Sequence, residues 1–371
     1  MAKFDVENFY QAGNLYLIPP YIHEDIQAEL KAYWDSLELT EHVFILSSGT
    51  SSKGAIKSYA ISKGAIIANA VAVNGFLGTN SSSAWLSSLP YFHIGGLSIF
   101  VRAHESNSSL IQDEGSWDPS KFNKMLETNK INFTSLVPTQ LYDLVKNKYK
   151  APNNLLGVFI GGDFLNSTLR NLALGLGWPL IETYGMTETS SQIASSFSQK
   201  MIDGYLELLP IHSLIKHNNN DGEYKINSSS LFTLEMILDQ GIWSTLYAGE
   251  GFLIKDHMDL ILRENKSFLK PLGRWDEQIK IKGRLYNFLE LKDIAHKIFF
   301  ELGVYSKMEL VLEDDNREGK ILTLWYEKRA VDTLQRVEEL LSDRFPLVLK
   351  ITNTVEFPQL PKNIMGKLIK P

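Results

Sequence analysis

Between His42 and Met186, short apolar runs alternate with longer stretches of helical spacing, and this alternation limits the possible folds more than any other feature of the chain. HVFILSS (42–48) is a compact apolar run that leads into Ser and Gly, as a buried strand feeding a turn would. The segment Ala60–Leu77 is apolar at roughly helical spacing and predicts a helix after that turn. WLSSLP, FTSLVP, LLGVFIGG and PLIETYG then read as strands, with GLSIFVRA, TQLYDLVKNKY and NSTLRNLALGLG as the helices between them. Strands separated by helices pair in parallel and are covered by those helices, so the expected class is α/β.

The pattern changes after about residue 200. EYKINSSSLFTLEM and GEGFLIKDHMDLILRENKSFLKPLG read as β-hairpins. Beyond Arg274 an α+β order begins: QIKIKGRLYN, the helix LELKDIAHKIFFELG, the strands MELVLEDD and ILTLWYEK, the helix VDTLQRVEELLSDRF, and a basic tail, PKNIMGKLIKP. The expected organisation is a large N-terminal domain, 1–273, with mixed and parallel sheets flanked by helices and a β-rich subdomain at 200–273. A small α+β C-terminal domain, 274–371, follows. A length of 371 residues allows two or three domains at roughly 100–200 residues each.

Composition excludes several classes of function. The net charge of −6 provides no global basic field for nucleic acid or anionic lipid. With no cysteine there is no disulfide, thiolate metal site or cysteine nucleophile. The N-terminal stretch MAKFDVENFYQAGNLYLIPP lacks the basic-then-apolar order of a signal peptide, and apolar stretches such as 65–78 are interrupted and too short to span a bilayer. These features predict a cytoplasmic protein without a membrane span.

Four segments carry the polar chemistry. SSGTSSKG (47–54) follows a strand, and its small residues, hydroxyls and Lys suit a phosphate cradle, although a plain Ser-rich turn would read the same. IETYGMTETSSQ (181–192) sets an aromatic and a Gly beside Thr187 and Glu188, residues that suit a base, a phosphate and its Mg²⁺; the alternative is an ordinary helix start capped by Thr187. GRWDEQIKIKG (273–283) and PKNIMGKLIK at the C-terminus are, taken alone, a charge run and a solvated end.

Their order along the chain is more specific than any one of them. SSGTSSKG resembles the TSGTTG-x-PKG phosphate loop of the acyl-adenylate-forming enzymes, and YGMTE matches their YG-x-TE motif. GRWDEQIKIKG is similar to their GR-x-D-x-x-IK-x-x-G hinge, and PKNIMGK to their PK-x-x-x-GK motif. LSSLPYFHIGG, SLVPTQL and FIGGD resemble three further segments of the same family. Within it, LPYFHIGGLSIFVRA and SLVPTQLYDLV look most like the o-succinylbenzoate–CoA ligases of menaquinone synthesis.

That resemblance implies an ATP-dependent ligase that forms an acyl-adenylate and then a CoA thioester. The other readings are a ligase for another aryl or medium-chain acid, and a non-catalytic relative that binds nucleotide or acyl groups. The resemblance makes Lys367 the catalytic lysine, Glu188 the Mg²⁺ ligand and Thr187 the α-phosphate contact. Ser47, Ser48, Gly49, Thr50, Ser51 and Lys53 would hold phosphates, while Tyr184 and Gly185, with Gly161, Gly162 and Asp163, would hold adenine. Asp256 and Arg274 would bind the ribose, Asp276 would be the hinge, and His93 would gate an acyl pocket that Gly185 also lines. Arg102 would bind a substrate carboxylate; the alternative is a surface Arg on an amphipathic helix. The family's TGD reads Ile254-Lys255-Asp256 here, and the phosphate loop is about two residues short. Only 46 residues precede that loop, far fewer than in the family, which implies an N-terminally shortened fold whose exposed surface is covered by a partner or by self-association as a homo-oligomer.

Overall fold

The computed structural model describes residues 3–47, 55–217, 222–274, 278–281, 284–315, 319–346, 349–362 and 368. Its central feature is a nine-stranded sheet. Five adjacent strands run parallel in the spatial order Ser109–Gln112, Ala84–Ser87, Phe133–Leu136, Gly157–Ile160 and Leu180–Met186. Helices Ile94–Glu105, Pro119–Thr128, Pro138–Lys146 and Ser167–Gly175 make the crossovers. Parallel pairing needs such crossovers, and it buries strands on both faces. All four residues of Phe133–Leu136 and all four of Gly157–Ile160 are accordingly buried.

The other half of this sheet is antiparallel for a local reason. After Met186 only a short 3₁₀ turn, Thr187–Thr189, precedes the strand Ser191–Phe197. That is too short for a crossover, so the chain returns antiparallel along Leu180–Met186. Leu206–Leu208, Lys266–Arg274 and Asp256–Arg263 extend the sheet in the same antiparallel manner.

A second sheet of five strands takes Leu15–Leu17, His42–Leu46, Ile56–Ser62, Leu234–Asp239 and Ile242–Tyr247, in that order. Here the structure corrects the expected helix over Ala60–Leu77. Ile56–Ser62 is a strand, and the helix begins at Lys63, with the Ser62 hydroxyl capping the Ala65 N–H at 3.2 Å. The strand pairs on both sides and buries Ser58 to Ile61 without alternation, so it carried no period-2 signal.

The run 200–273 is rich in strands, as expected, and these strands divide among three sheets. Leu234–Asp239 and Ile242–Tyr247 complete the five-stranded sheet, and the strands at 206–208 and 256–274 extend the nine-stranded one. His212–Lys216, Tyr224–Ser228 and Phe252–Leu253 make a third sheet.

Residues Ile279 to Leu349 assemble a hydrophobic cluster of their own. Met308–Asp315, Gly319–Glu327 and Ile351–Phe357 form its sheet, with helices Phe288–Glu301 and Val331–Arg344. Helix Phe288–Glu301 packs against Ser167–Gly175: Asp293 accepts from the Ser167 N–H and hydroxyl, each at 2.7 Å. Asn166 donates to the Tyr305 hydroxyl at 3.0 Å.

His212 gives this fold an acid-sensitive point. The ring is buried, with Nε2 2.9 Å from the Gln192 carbonyl oxygen, and burial lowers its pKa from 6.5 to about 4. The unfolded chain takes up this proton near pH 6.5 and the folded protein only near 4. The contribution of neutral His212 is therefore complete above pH 6.5 and is lost as pH falls toward 4, at roughly 3 kcal/mol in total. His212→Gln should lose less stability than wild type over this interval in urea titrations; parallel losses would contradict the assignment.

Candidate active site

The carboxyl ends of the parallel strands converge on one edge, where ligands bind in open α/β sheets. Ile160 leads into Gly161-Gly162-Asp163, and Met186 into Thr187-Glu188. A Cβ on Gly161 would lie 2.7 Å from the Thr183 hydroxyl and would displace it; Gly162 turns the chain with φ of +84°. Asp163 is exposed and accepts from the Phe164 N–H at 2.7 Å.

The turn from Gly185 to Ser191 is held from several directions. The pairing register shifts between Tyr184 and Gly185, and a Cβ on Gly185 would sit 1.9 Å from the Ser191 carbonyl oxygen. Ser190 and Ser191 have positive φ, 58° and 127°, a conformation costing about 1–3 kcal/mol per residue. Buried Asn69 offsets that cost by donating to the carbonyls of Thr189 and Gln192, at 3.2 and 2.7 Å. Ser190 donates to the Ser230 carbonyl at 2.7 Å. These bonds fix the backbone that presents Thr187, which is buried, and Glu188, which is partly exposed.

Glu188 meets the five-stranded sheet. Its Oε1 accepts from the Tyr59 hydroxyl at 2.6 Å and lies 3.5 Å from Lys57 Nζ. Among the described residues Oε2 has no partner. Glu235 stands opposite Tyr59 in the register of Ile56–Ser62 with Leu234–Asp239. It lies 2.6 Å from Lys57 Nζ and 2.8 Å from the Tyr59 hydroxyl.

On the other side of Gly185, the Tyr184 hydroxyl donates to Asp256 Oδ2 at 2.6 Å. Burial and the Asp256 charge hold the Tyr184 phenol well above its usual pKa, with the Arg274 charge opposing them. Asp256 and Arg274 face each other across an antiparallel pair.

Arg102 is only 1% exposed. Helix Ile94–Glu105 is buried continuously from Gly96 to Ala103, which removes the surface reading of this residue. The helix starts tightly behind His93, itself buried, because Gly96 lets the backbone approach Pro90, whose oxygen would be 2.1 Å from a Cβ. The guanidinium lies over the Phe159 ring, 5.4 Å from its centroid, and donates to the Ser191 hydroxyl at 3.2 Å. Among the described residues its Nε has no hydrogen-bond partner and no carboxylate pairs with it. Burial alone lowers its pKa to about 9. An uncompensated buried cation costs several kcal/mol, so this arrangement is suited to receive an anion.

Of the other sequence-derived candidates, Ser47 is described, and its N–H donates to the Lys57 carbonyl at 2.9 Å. Ser48, Gly49, Thr50, Ser51, Lys53, Asp276 and Lys367 lie outside the described residues. Lys362 and Leu368, which flank the segment containing Lys367, form an antiparallel bridge. Both line a cavity of about 40 Å³ together with Pro138, Thr139 and Asp163. Lys57, Tyr59, Asn69, Ser191 and Glu235 were not singled out from the sequence.

Residues 40–210 match the family model of the AMP-binding enzyme. Over that stretch the chain is similar to the enzymes of this family. It is 26% identical over 337 residues to the 2-succinylbenzoate–CoA ligase of Lactococcus lactis, covering 89% of this chain and 70% of the relative. With that of Bacillus cytotoxicus the identity is 24% over 374 residues, covering 95% and 74%. The fold of the chain is similar to that of the o-succinylbenzoate CoA synthetase of Bacillus subtilis in complex with the acyl-adenylate intermediate OSB-AMP. The TM-score is 0.71 at 18% identity, over 88% of this chain and 68% of the other. A structure of that synthetase with ATP and magnesium ion gives 0.68 at 18% identity, over the same 88% and 68%.

Proposed function

We propose that the chain is an ATP-dependent ligase that converts o-succinylbenzoate to its CoA thioester through an acyl-adenylate, in menaquinone biosynthesis. The observation that carries this reading is Arg102, a buried cation without a carboxylate partner among the described residues, bonded to the same turn that presents Glu188. A ligase for a simple fatty or aryl acid has no use for a buried guanidinium. A substrate with a second carboxylate supplies the missing anion in bidentate geometry.

In the first half-reaction, a carboxylate oxygen of the acid attacks the α-phosphorus of ATP in line. The bond to the β-phosphate oxygen breaks and pyrophosphate leaves. Thr187 and the 47–54 loop hold phosphate oxygens, and Lys367 neutralises charge that builds between the attacking carboxylate and the α-phosphate. The Gly161–Asp163 turn and Tyr184 hold adenine, and Asp256 with Arg274 holds the ribose. Asp256 already accepts a hydrogen bond from Tyr184, which fixes its carboxylate before a ribose arrives.

Magnesium takes oxygen ligands, and Glu188 suits it: one carboxylate oxygen is anchored by Tyr59, and the other has no partner among the described residues. When bound, the metal neutralises phosphate charge during displacement.

In the second half-reaction, the CoA thiol attacks the acyl carbonyl, and AMP leaves with the bonding pair. Residues 274–371 turn about Asp276 between the halves, withdrawing Lys367. His93 closes the acyl pocket beside Gly185. We place the reaction in the cytoplasm; no helix among the described residues is long and apolar enough to cross a membrane.

A panel of acids tests the substrate assignment. With ATP and CoA present, o-succinylbenzoate should give its CoA thioester, identified by mass, at a kcat/KM at least tenfold above those of benzoate and octanoate. A simple acid that matches o-succinylbenzoate would overturn the assignment.

A further inference from the structure

Glu188 does not stand alone: its carboxylate belongs to a four-residue network that joins the two large sheets. Lys57 and Tyr59 are two positions apart on the strand Ile56–Ser62, so they share a face. Glu235 reaches them from the neighbouring strand, and Glu188 from the turn that ends the parallel half of the nine-stranded sheet. Two carboxylates thus share one ammonium and one hydroxyl.

The distances divide these partners unequally. Lys57 Nζ is 2.6 Å from Glu235 but 3.5 Å from Glu188. The Tyr59 hydroxyl, with a single proton, is 2.6 Å from Glu188 and 2.8 Å from Glu235. Glu235, with its side chain 8% exposed, therefore takes the lysine, and Glu188 takes the hydroxyl. A neutral donor orients a carboxylate without cancelling its charge. An ammonium in direct contact would cancel that charge and compete with any incoming cation.

We propose that Tyr59 and Glu235 are positioning residues for Glu188: Tyr59 aims its carboxylate, and Glu235 holds Lys57 away so that the carboxylate keeps its charge for the magnesium of MgATP. This inference rests on the proposed role of Glu188 and extends it to three residues that are distant in sequence.

The test is direct nucleotide binding by calorimetry, with ATP at a series of magnesium concentrations and with AMP as the metal-free control. Glu235→Gln should release Lys57 onto Glu188 and raise the magnesium concentration for half-maximal enhancement of ATP binding about tenfold, the lower end for a charge-assisted contact. Adding Lys57→Gln to Glu235→Gln should restore most of that loss, because the competing ammonium is gone. Tyr59→Phe should raise the magnesium requirement by a similar factor. AMP affinity should stay within twofold of wild type in all three variants.

A purely structural role for the network predicts that the double variant is worse than Glu235→Gln, and that outcome would overturn the inference. So would a Glu235→Gln variant with unchanged magnesium dependence. If wild-type protein binds AMP but its ATP affinity ignores magnesium, the metal role of Glu188 falls and the inference with it, while the nucleotide site stands. If it binds neither nucleotide, the functional reading itself fails.

Discussion

Arg102→Met should lower kcat/KM for o-succinylbenzoate by about two to three orders of magnitude while leaving the KM for ATP nearly unchanged. Removing one member of a buried charge pair costs about 2–5 kcal/mol, because the partner charge is left without compensation. The loss should fall mainly on KM for the acid, since the second carboxylate is bound alike before and during adenylation. The same substitution should make the empty protein more stable to urea, by roughly 1–3 kcal/mol, since a buried cation with one hydroxyl partner among the described residues gives way to an apolar side chain of similar length. Loss of activity joined to a gain of stability is the signature of a residue kept for its ligand. A variant that is less stable and equally impaired with every acid would mean that Arg102 serves the fold through its contacts with Phe159 and Ser191.

Lys367→Ala should slow adenylate formation by about a hundredfold or more, with the affinity for AMP intact. Charge stabilisation confined to the transition state appears in kcat rather than in ground-state binding. The two half-reactions separate this role from a general defect. Supplied with preformed acyl-adenylate and CoA, the variant should make thioester at close to the wild-type rate, because the proposed turn about Asp276 takes this lysine away before the second step. Equal impairment of both halves would contradict the alternation. Thioester formation faster than pyrophosphate release from ATP is the expected order in this variant.

Much of this site could be read from the sequence because its residues follow strand ends in short local motifs. Tyr184, Gly185, Thr187 and Glu188 lie within five consecutive positions, and Gly161 to Asp163 are contiguous. Strand–turn signals of this kind are local, and four of the five parallel strands were legible for the same reason, whereas the edge strand Ser109–Gln112 was not. The network behind Glu188 was not. Tyr59 and Glu235 are 176 positions apart and meet only because two strands pair in one register. Neither neighbourhood carries a sign of the other. The strand Ile56–Ser62 was hidden by its own burial, since pairing on both sides leaves no alternation to distinguish it from the start of the following helix.

The burial of Arg102 was half legible. The helix was evident, but GLSIFVRA allows either a surface or an interior end, and only the packing of helix Ile94–Glu105 against neighbouring elements decides it. Likewise, the strand content of 200–273 was clear while its division among three sheets was not, because sheet membership depends on pairing with residues far away in the chain.

The central claim is that this chain adenylates o-succinylbenzoate. ATP–pyrophosphate exchange tests it most directly, because exchange reports the reversible first half-reaction without CoA and without domain alternation. The account predicts exchange that requires both magnesium and o-succinylbenzoate, is weak with benzoate, and falls by at least a hundredfold in Lys367→Ala. Protein that binds ATP and o-succinylbenzoate yet supports no exchange would contradict it.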